Sequence, residues 1–128
     1  MAMRTPLKNV RRLGSAKEGT DHFWRQRVTS VAALLLLPFM FWFALALFGA
    51  DYETVRRTIA NPVVAILVVV FIVTSAVHMR IGMQVIIEDY VHTDSTKIAL
   101  LMLNTFFSVL IGLAGTYAVL KMSFGVAI

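Results

Sequence analysis

Three stretches of this chain carry no charged side chain: residues 28–50, 63–77 and 98–120. All charge is confined to the segments between and beside them. A helix needs about 20 mainly apolar residues to cross a bilayer. The first and last stretches reach that length alone, and the middle one reaches it by continuing through His78 and Arg80. Composition agrees. The 128 residues are 59% hydrophobic and only 15% charged, and the mean hydropathy is +0.78. A soluble domain this small could not hide so much apolar surface. The expected fold is an all-α membrane protein with three transmembrane helices, over about 27–48 (Arg27–Phe48), 62–87 (Pro62–Ile87) and 97–121 (Lys97–Lys121). A basic arm, 1–26, precedes them, and a short tail, 122–128, follows.

Charge sets the expected orientation. Seven of the 12 Lys and Arg residues lie in the arm or at the start of the first helix: Arg4, Lys8, Arg11, Arg12, Lys17, Arg25 and Arg27. The positive-inside rule puts this end in the cytoplasm. The first loop, where Arg56 and Arg57 are offset by Asp51 and Glu53, then faces out. The loop Glu88–Thr96 faces in, and the C-terminus faces out. Beside a membrane helix, a basic arm reads as a topogenic signal rather than a nucleic-acid site. Ala44-Leu45-Ala46 resembles a signal-peptidase site, but the preceding apolar run is too long for a signal-peptide core. The first helix is expected to be retained.

Local signals mark the helix ends. Asn61 suits an N-cap and Pro62 the first helical position. Thr93, Asp94, Ser95 or Thr96 can cap the third helix. Pro38 predicts a kink in the first, and Phe39, Phe41, Trp42, Phe43 and Phe48 enrich its outer half as an aromatic belt. Ser108, Gly112 and Gly115 put small side chains at helical spacing, where another helix can approach closely.

His78 is the residue that points to chemistry. It lies inside the apolar run Ile66–Ile87, where an ionisable side chain is costly and marks a functional site by default. Asp89 and Tyr90 follow eleven and twelve residues later. Eleven residues return to within about 20° of the same helix face after a rise of about 16 Å. One face thus carries a deep imidazole and a carboxylate near the membrane edge. Thr74 or Ser75, a turn earlier, can orient the ring or bond a backbone carbonyl. Gly82, a turn later, removes bulk where a flat ligand would pass. Arg80 can snorkel toward the cytoplasm or neutralise an anionic group such as a porphyrin propionate. Tyr90 is a neutral hydrogen-bond donor suited to a quinone carbonyl. The plain alternative is that His78 only bonds a neighbouring helix.

Six-coordinate haem needs a second axial ligand. His22 and His92 lie on the cytoplasmic side, far from the depth of His78, so that ligand is expected from another polypeptide. With no cysteine, the chain cannot hold an iron–sulfur cluster in the usual way or form a disulfide. If the chain handles electrons, they come from another subunit or a bound organic cofactor.

The segment His78–Tyr90 (HMRIGMQVIIEDY) resembles the H-x-x-x-G-x(6)-D-Y motif of the succinate dehydrogenase hydrophobic membrane anchor subunits. His22–Ser30 (HFWRQRVTS) resembles the start of that family's first helix, and the length and three-helix plan are similar too. The resemblance implies a subunit of respiratory complex II in the bacterial inner membrane. It implies a cytochrome b556 subunit as partner, with flavoprotein and iron–sulfur subunits anchored above. His78 would be an axial ligand of a shared haem b, through its iron. Tyr90 would bond ubiquinone, Asp89 would stand beside it in the quinone pocket, and Arg27 would lie near the haem propionates or quinone. Arg80 falls at a variable position of the family. Succinate would be oxidised elsewhere in the complex, since this chain offers no nucleophile, hydrolase metal motif or phosphate loop. The competing reading is a proton-relay or transporter subunit using His78 and Asp89, which calls for polar residues along the gap between them. That gap is mainly Gly82 and Val85. A purely structural assembly factor would leave His78, Asp89 and Tyr90 without a purpose.

Overall fold

The computed structural model describes residues 18–125. They form four helices: α1 Glu18–Leu47, α2 Tyr52–Ala60, α3 Pro62–Tyr90 and α4 Asp94–Ser123. Three of them, α1, α3 and α4, are long and apolar enough to cross a membrane. No strand occurs among the described residues. Inside hydrocarbon the backbone has no water to bond, and a helix closes its own hydrogen bonds.

Each spanning helix is longer than its apolar stretch. α1 begins at Glu18, inside the basic arm expected to precede the first span. No proline interrupts Glu18–Gln26, and the early acid Asp21 suits a helix N-terminus electrostatically. Residues 1–17 of that arm lie outside the described residues. The helix runs on through Pro38 and stops at Gly49, whose φ of 75° is the left-handed conformation glycine adopts most readily. α3 starts as expected: the Asn61 side chain accepts from the Val63 N–H at 3.0 Å, with Pro62 at the first turn. It ends three residues later than expected, at Tyr90. α4 starts at Asp94, with Thr93 at the cap position but no side-chain cap bond.

The loop between the first two spans holds a helix that hydropathy does not reveal. In α2, Val55 and Ile59 lie one turn apart, and Ile59 is buried. The Asp51 side chain caps its start, accepting from the backbone N–H and hydroxyl of Thr54. Those bonds, the hydroxyl's foremost, hold the Asp51 carboxyl below its ordinary range. Asn61 closes α2 and opens α3, so one residue serves two helix ends. Arg56 ties the far end down by donating to the Gly125 carbonyl at 3.1 Å.

The apolar core sits at this end: Ile59, Ala65, Val68 and Val119 are buried, with Phe39, Met40, Phe43, Ile72 and Met122 packed around them. α3 is the central helix, packed on α4 along one side and α1 along the other. The α3/α4 seam is tight because α4 presents small residues. Ser108 is buried, a Cβ on Gly112 would meet Ala76 Cβ at 3.5 Å, and one on Gly115 would meet Ile72 Cγ2 at 3.0 Å. Gly112→Ala should therefore be tolerated. Gly115→Leu should force the helices apart and cost about 1–3 kcal/mol by overpacking. Thermal denaturation of the detergent-solubilised protein would separate the two.

At the opposite end the seams are polar. Arg80 Nε donates to Thr105 Oγ1 at 3.3 Å, and Asn104 Nδ2 donates to the Arg80 carbonyl at 2.9 Å. Away from these seams, large apolar side chains such as Leu35, Phe41, Phe106 and Leu113 face outward. In a bilayer such faces meet lipid or a partner helix without cost.

Candidate functional site

The site starts from a polar stripe on the first turns of α1. His22, Gln26 and Thr29 recur at helical spacing and are each partly buried, with Arg25 beside them. This stripe faces α3. His78 comes from the middle of α3, and its Nδ1 lies 3.1 Å from Thr29 Oγ1. Neither Thr74 nor Ser75 bonds the ring, so the orienting hydroxyl comes from another helix and not from the preceding turn. Among the described residues, Nε2 of His78 has no hydrogen-bond partner. A Cβ built on Gly82 would meet nothing within 4 Å, so the surface one turn from the ring is open.

Below this pair, toward the N-terminus of α1, lies a cleft of about 270 Å³ lined by Asp21, His22, Arg25, Arg80 and Gln84, among others. Nε2 of His22 and Oε1 of Gln26 are enclosed without a partner among the described residues. His22 therefore belongs to the α1/α3 contact. The sequence pattern puts it in the basic arm, before the first expected span. The usable signal was its position seven residues before Thr29, two turns along one helix face.

Arg80 faces α4 through its bond to Thr105 while also bordering the cleft. Arg27 is exposed, and its guanidinium lies 4.8 Å from the centre of the Phe23 ring, a cation–π contact within α1. It sits two residues, about 200°, round the helix from Thr29, so the chain by itself does not gather Arg27 and His78. Asp89 is exposed and Tyr90 is 79% exposed at the last turn of α3. The adjacent His92 Nδ1 lies 3.0 Å from the Tyr90 carbonyl. No chain of hydrogen bonds joins His78 to Asp89 among the described residues. Buried Ile81 and exposed Val85 stand in that interval, an arrangement unsuited to a proton relay.

Among the described residues, one imidazole is held through one nitrogen and the other nitrogen has no partner. A carboxylate and a phenol stand exposed at the end of α3. No group of three or more His, Cys, Asp or Glu able to hold a metal ion occurs among the described residues, so the ring would be a single ligand to an ion held jointly with something else.

Comparison with known proteins gives one family. The model of the succinate dehydrogenase/fumarate reductase transmembrane subunit matches residues 1–112. The succinate dehydrogenase hydrophobic membrane anchor subunit of Paracoccus denitrificans is 31% identical over 94% of this chain and 93% of its own. That of Rickettsia bellii is 30% identical over 84% and 86%. The succinate dehydrogenase membrane anchor subunit of Reclinomonas americana is 28% identical over 64% and 71%. No solved structure matches the chain significantly. With the family model covering most of its length and three apolar helices built to span a bilayer, this chain is a multi-pass membrane protein that belongs to the succinate dehydrogenase/fumarate reductase transmembrane subunit family.

Proposed function

We propose that this chain is the smaller membrane anchor of a succinate:ubiquinone oxidoreductase in a bacterial inner membrane. In that complex it pairs with a cytochrome b556 subunit and holds the flavoprotein and iron–sulfur subunits at the cytoplasmic face. The observation that carries the reading is the state of His78. It sits mid-helix in an anchor-family chain, one ring nitrogen held by Thr29 and the other unpaired.

The residues fit a haem b shared with the partner. A metal-ligating histidine almost always bonds through its second nitrogen to a neighbouring acceptor, which fixes the ring's orientation; Thr29 is placed for that. His78 would hold the iron through its free nitrogen, with a second ligand from the partner. Arg27, with Arg80 bordering the cleft, is the cation available to propionates or the quinone end. When bound, the haem supplies a one-electron store beside the path from the partner's iron–sulfur clusters to quinone. At the cytoplasmic end of α3, Tyr90 donates to a ubiquinone carbonyl, and Asp89 orients it or takes up the proton that quinone reduction requires. The exposure of both residues in the single chain is what a pocket finished by docked subunits calls for.

Deleting the chain tests the anchoring role. Succinate oxidation measured with a soluble acceptor should move from membrane to supernatant; activity that stays on the membrane contradicts it. The basic start of the chain also predicts a cytoplasmic N-terminus and an external C-terminus. Reporter tags at the two ends should lie on opposite sides of the membrane. A cytoplasmic C-terminus would remove Asp89 and Tyr90 from the face where the partners dock.

A further inference from the structure

We propose that Thr29 is the positioning residue for His78, acting as a hydrogen-bond acceptor that fixes which ring nitrogen is free. The inference rests on the reading of His78 as a haem ligand and adds how the chain prepares it. Thr29 Oγ1 has three neighbours: the Arg25 carbonyl at 2.7 Å, the Gln26 carbonyl at 3.1 Å and His78 Nδ1 at 3.1 Å. The hydroxyl has one proton to give. Two oxygens 2.7 Å apart repel unless a proton lies between them, so that proton points to Arg25, with Gln26 as a second acceptor. Oγ1 is then left with lone pairs toward His78 and must accept from Nδ1–H. A neutral imidazole protonated at Nδ1 carries its lone pair on Nε2, the nitrogen without a partner here.

The device is built from the helix backbone. A threonine inside a helix commonly returns its proton to the carbonyl one turn earlier, and here that habit turns the hydroxyl into a pure acceptor for a side chain 49 residues away. A valine of the same shape would keep the packing and lose the acceptor. A serine would keep the acceptor.

The test uses the purified, haem-loaded complex carrying Thr29→Val, Thr29→Ser or His78→Ala. It reads haem retention on dilution and the haem midpoint potential. Outer partners of metal ligands are typically worth 10- to 100-fold in affinity, so Thr29→Val should release haem more readily by about that factor. The bond from Nδ1–H strengthens the ring as a donor and favours ferric iron, so its loss should move the midpoint upward. A tenfold preferential loss of ferric affinity corresponds to about 59 mV for a one-electron couple. Thr29→Ser should restore both readings.

Wild-type retention and potential in Thr29→Val, alongside haem loss in His78→Ala, overturns the Thr29 assignment and leaves the ligand reading standing. A Thr29→Ser protein that behaves like Thr29→Val also overturns it, because the methyl group and not the hydroxyl would then matter. Unchanged haem in His78→Ala overturns the underlying reading itself. If the valine variant does not assemble, Thr29→Ala removes the same acceptor with less bulk in the α1/α3 contact, and the same criteria apply.

Discussion

His78→Ala is expected to remove the normal b-type absorption from the assembled complex, whereas His22→Ala and His92→Ala should each leave the axial ligand in place. The three histidines differ in depth and surroundings. His78 lies mid-span with Nε2 unpaired. His22 stands two turns, about 10 Å, nearer the start of α1 than Thr29, and its own Nε2 is shut in against α3. His92 lies beyond the end of α3, bonded beside the Tyr90 carbonyl. The substitution also deletes the hydrogen bond between α1 and α3, a loss of about 0.5–1.5 kcal/mol. That is small beside the packing along α3, so the complex should still assemble and oxidise succinate with a soluble acceptor. Optical spectra of the oxidised and reduced complex decide the matter. An unchanged b-type spectrum in His78→Ala would remove the residue from the haem site.

Tyr90→Phe should depress succinate–quinone reductase activity by roughly 5- to 150-fold while sparing succinate oxidation measured with the soluble acceptor. Losing one buried donor costs on the order of 1–3 kcal/mol, and each ~1.4 kcal/mol is tenfold. In the single chain Tyr90 is 79% exposed, so the full penalty applies only where docked subunits bury it. Asp89→Asn should act in the same direction if its carboxylate orients the phenol or supports proton uptake. Both activities are measured in the same membranes. A parallel fall assigns Tyr90 to assembly; no fall in either places the quinone elsewhere.

Hydropathy placed the three spans because a charge inside hydrocarbon is costly and charge-free runs are therefore legible. It did not place their ends. Helical geometry continues into polar sequence wherever nothing breaks it, as at Glu18–Gln26 and Glu88–Tyr90. Nor did it show α2, nine residues whose stability comes from docking Ile59 on the ends of α3 and α4. The cap at Asn61 and the small-residue face of α4 were legible, since both rest on local chemistry. His78 was legible for a similar reason: a lone imidazole in an apolar run demands an explanation. Its partner Thr29 was not, because pairing across 49 residues depends on the register between two helices, and a single sequence does not state that register. The short hydroxyl run Thr74-Ser75 pointed to the wrong source for the ring's hydrogen bond. Asp89 and Tyr90 stand exposed at the last turn of α3 and Arg27 stands exposed on α1, and the contacts proposed for them lie with other subunits.

If the chain contributes half of a haem site within a succinate-oxidising complex, purification from membranes in mild detergent through a tag on this chain should recover succinate-oxidising activity and a b-type reduced-minus-oxidised optical spectrum in the same fraction. Recovery of that activity with no b-type absorbance would contradict the haem assignment, and recovery of neither would remove the chain from such a complex.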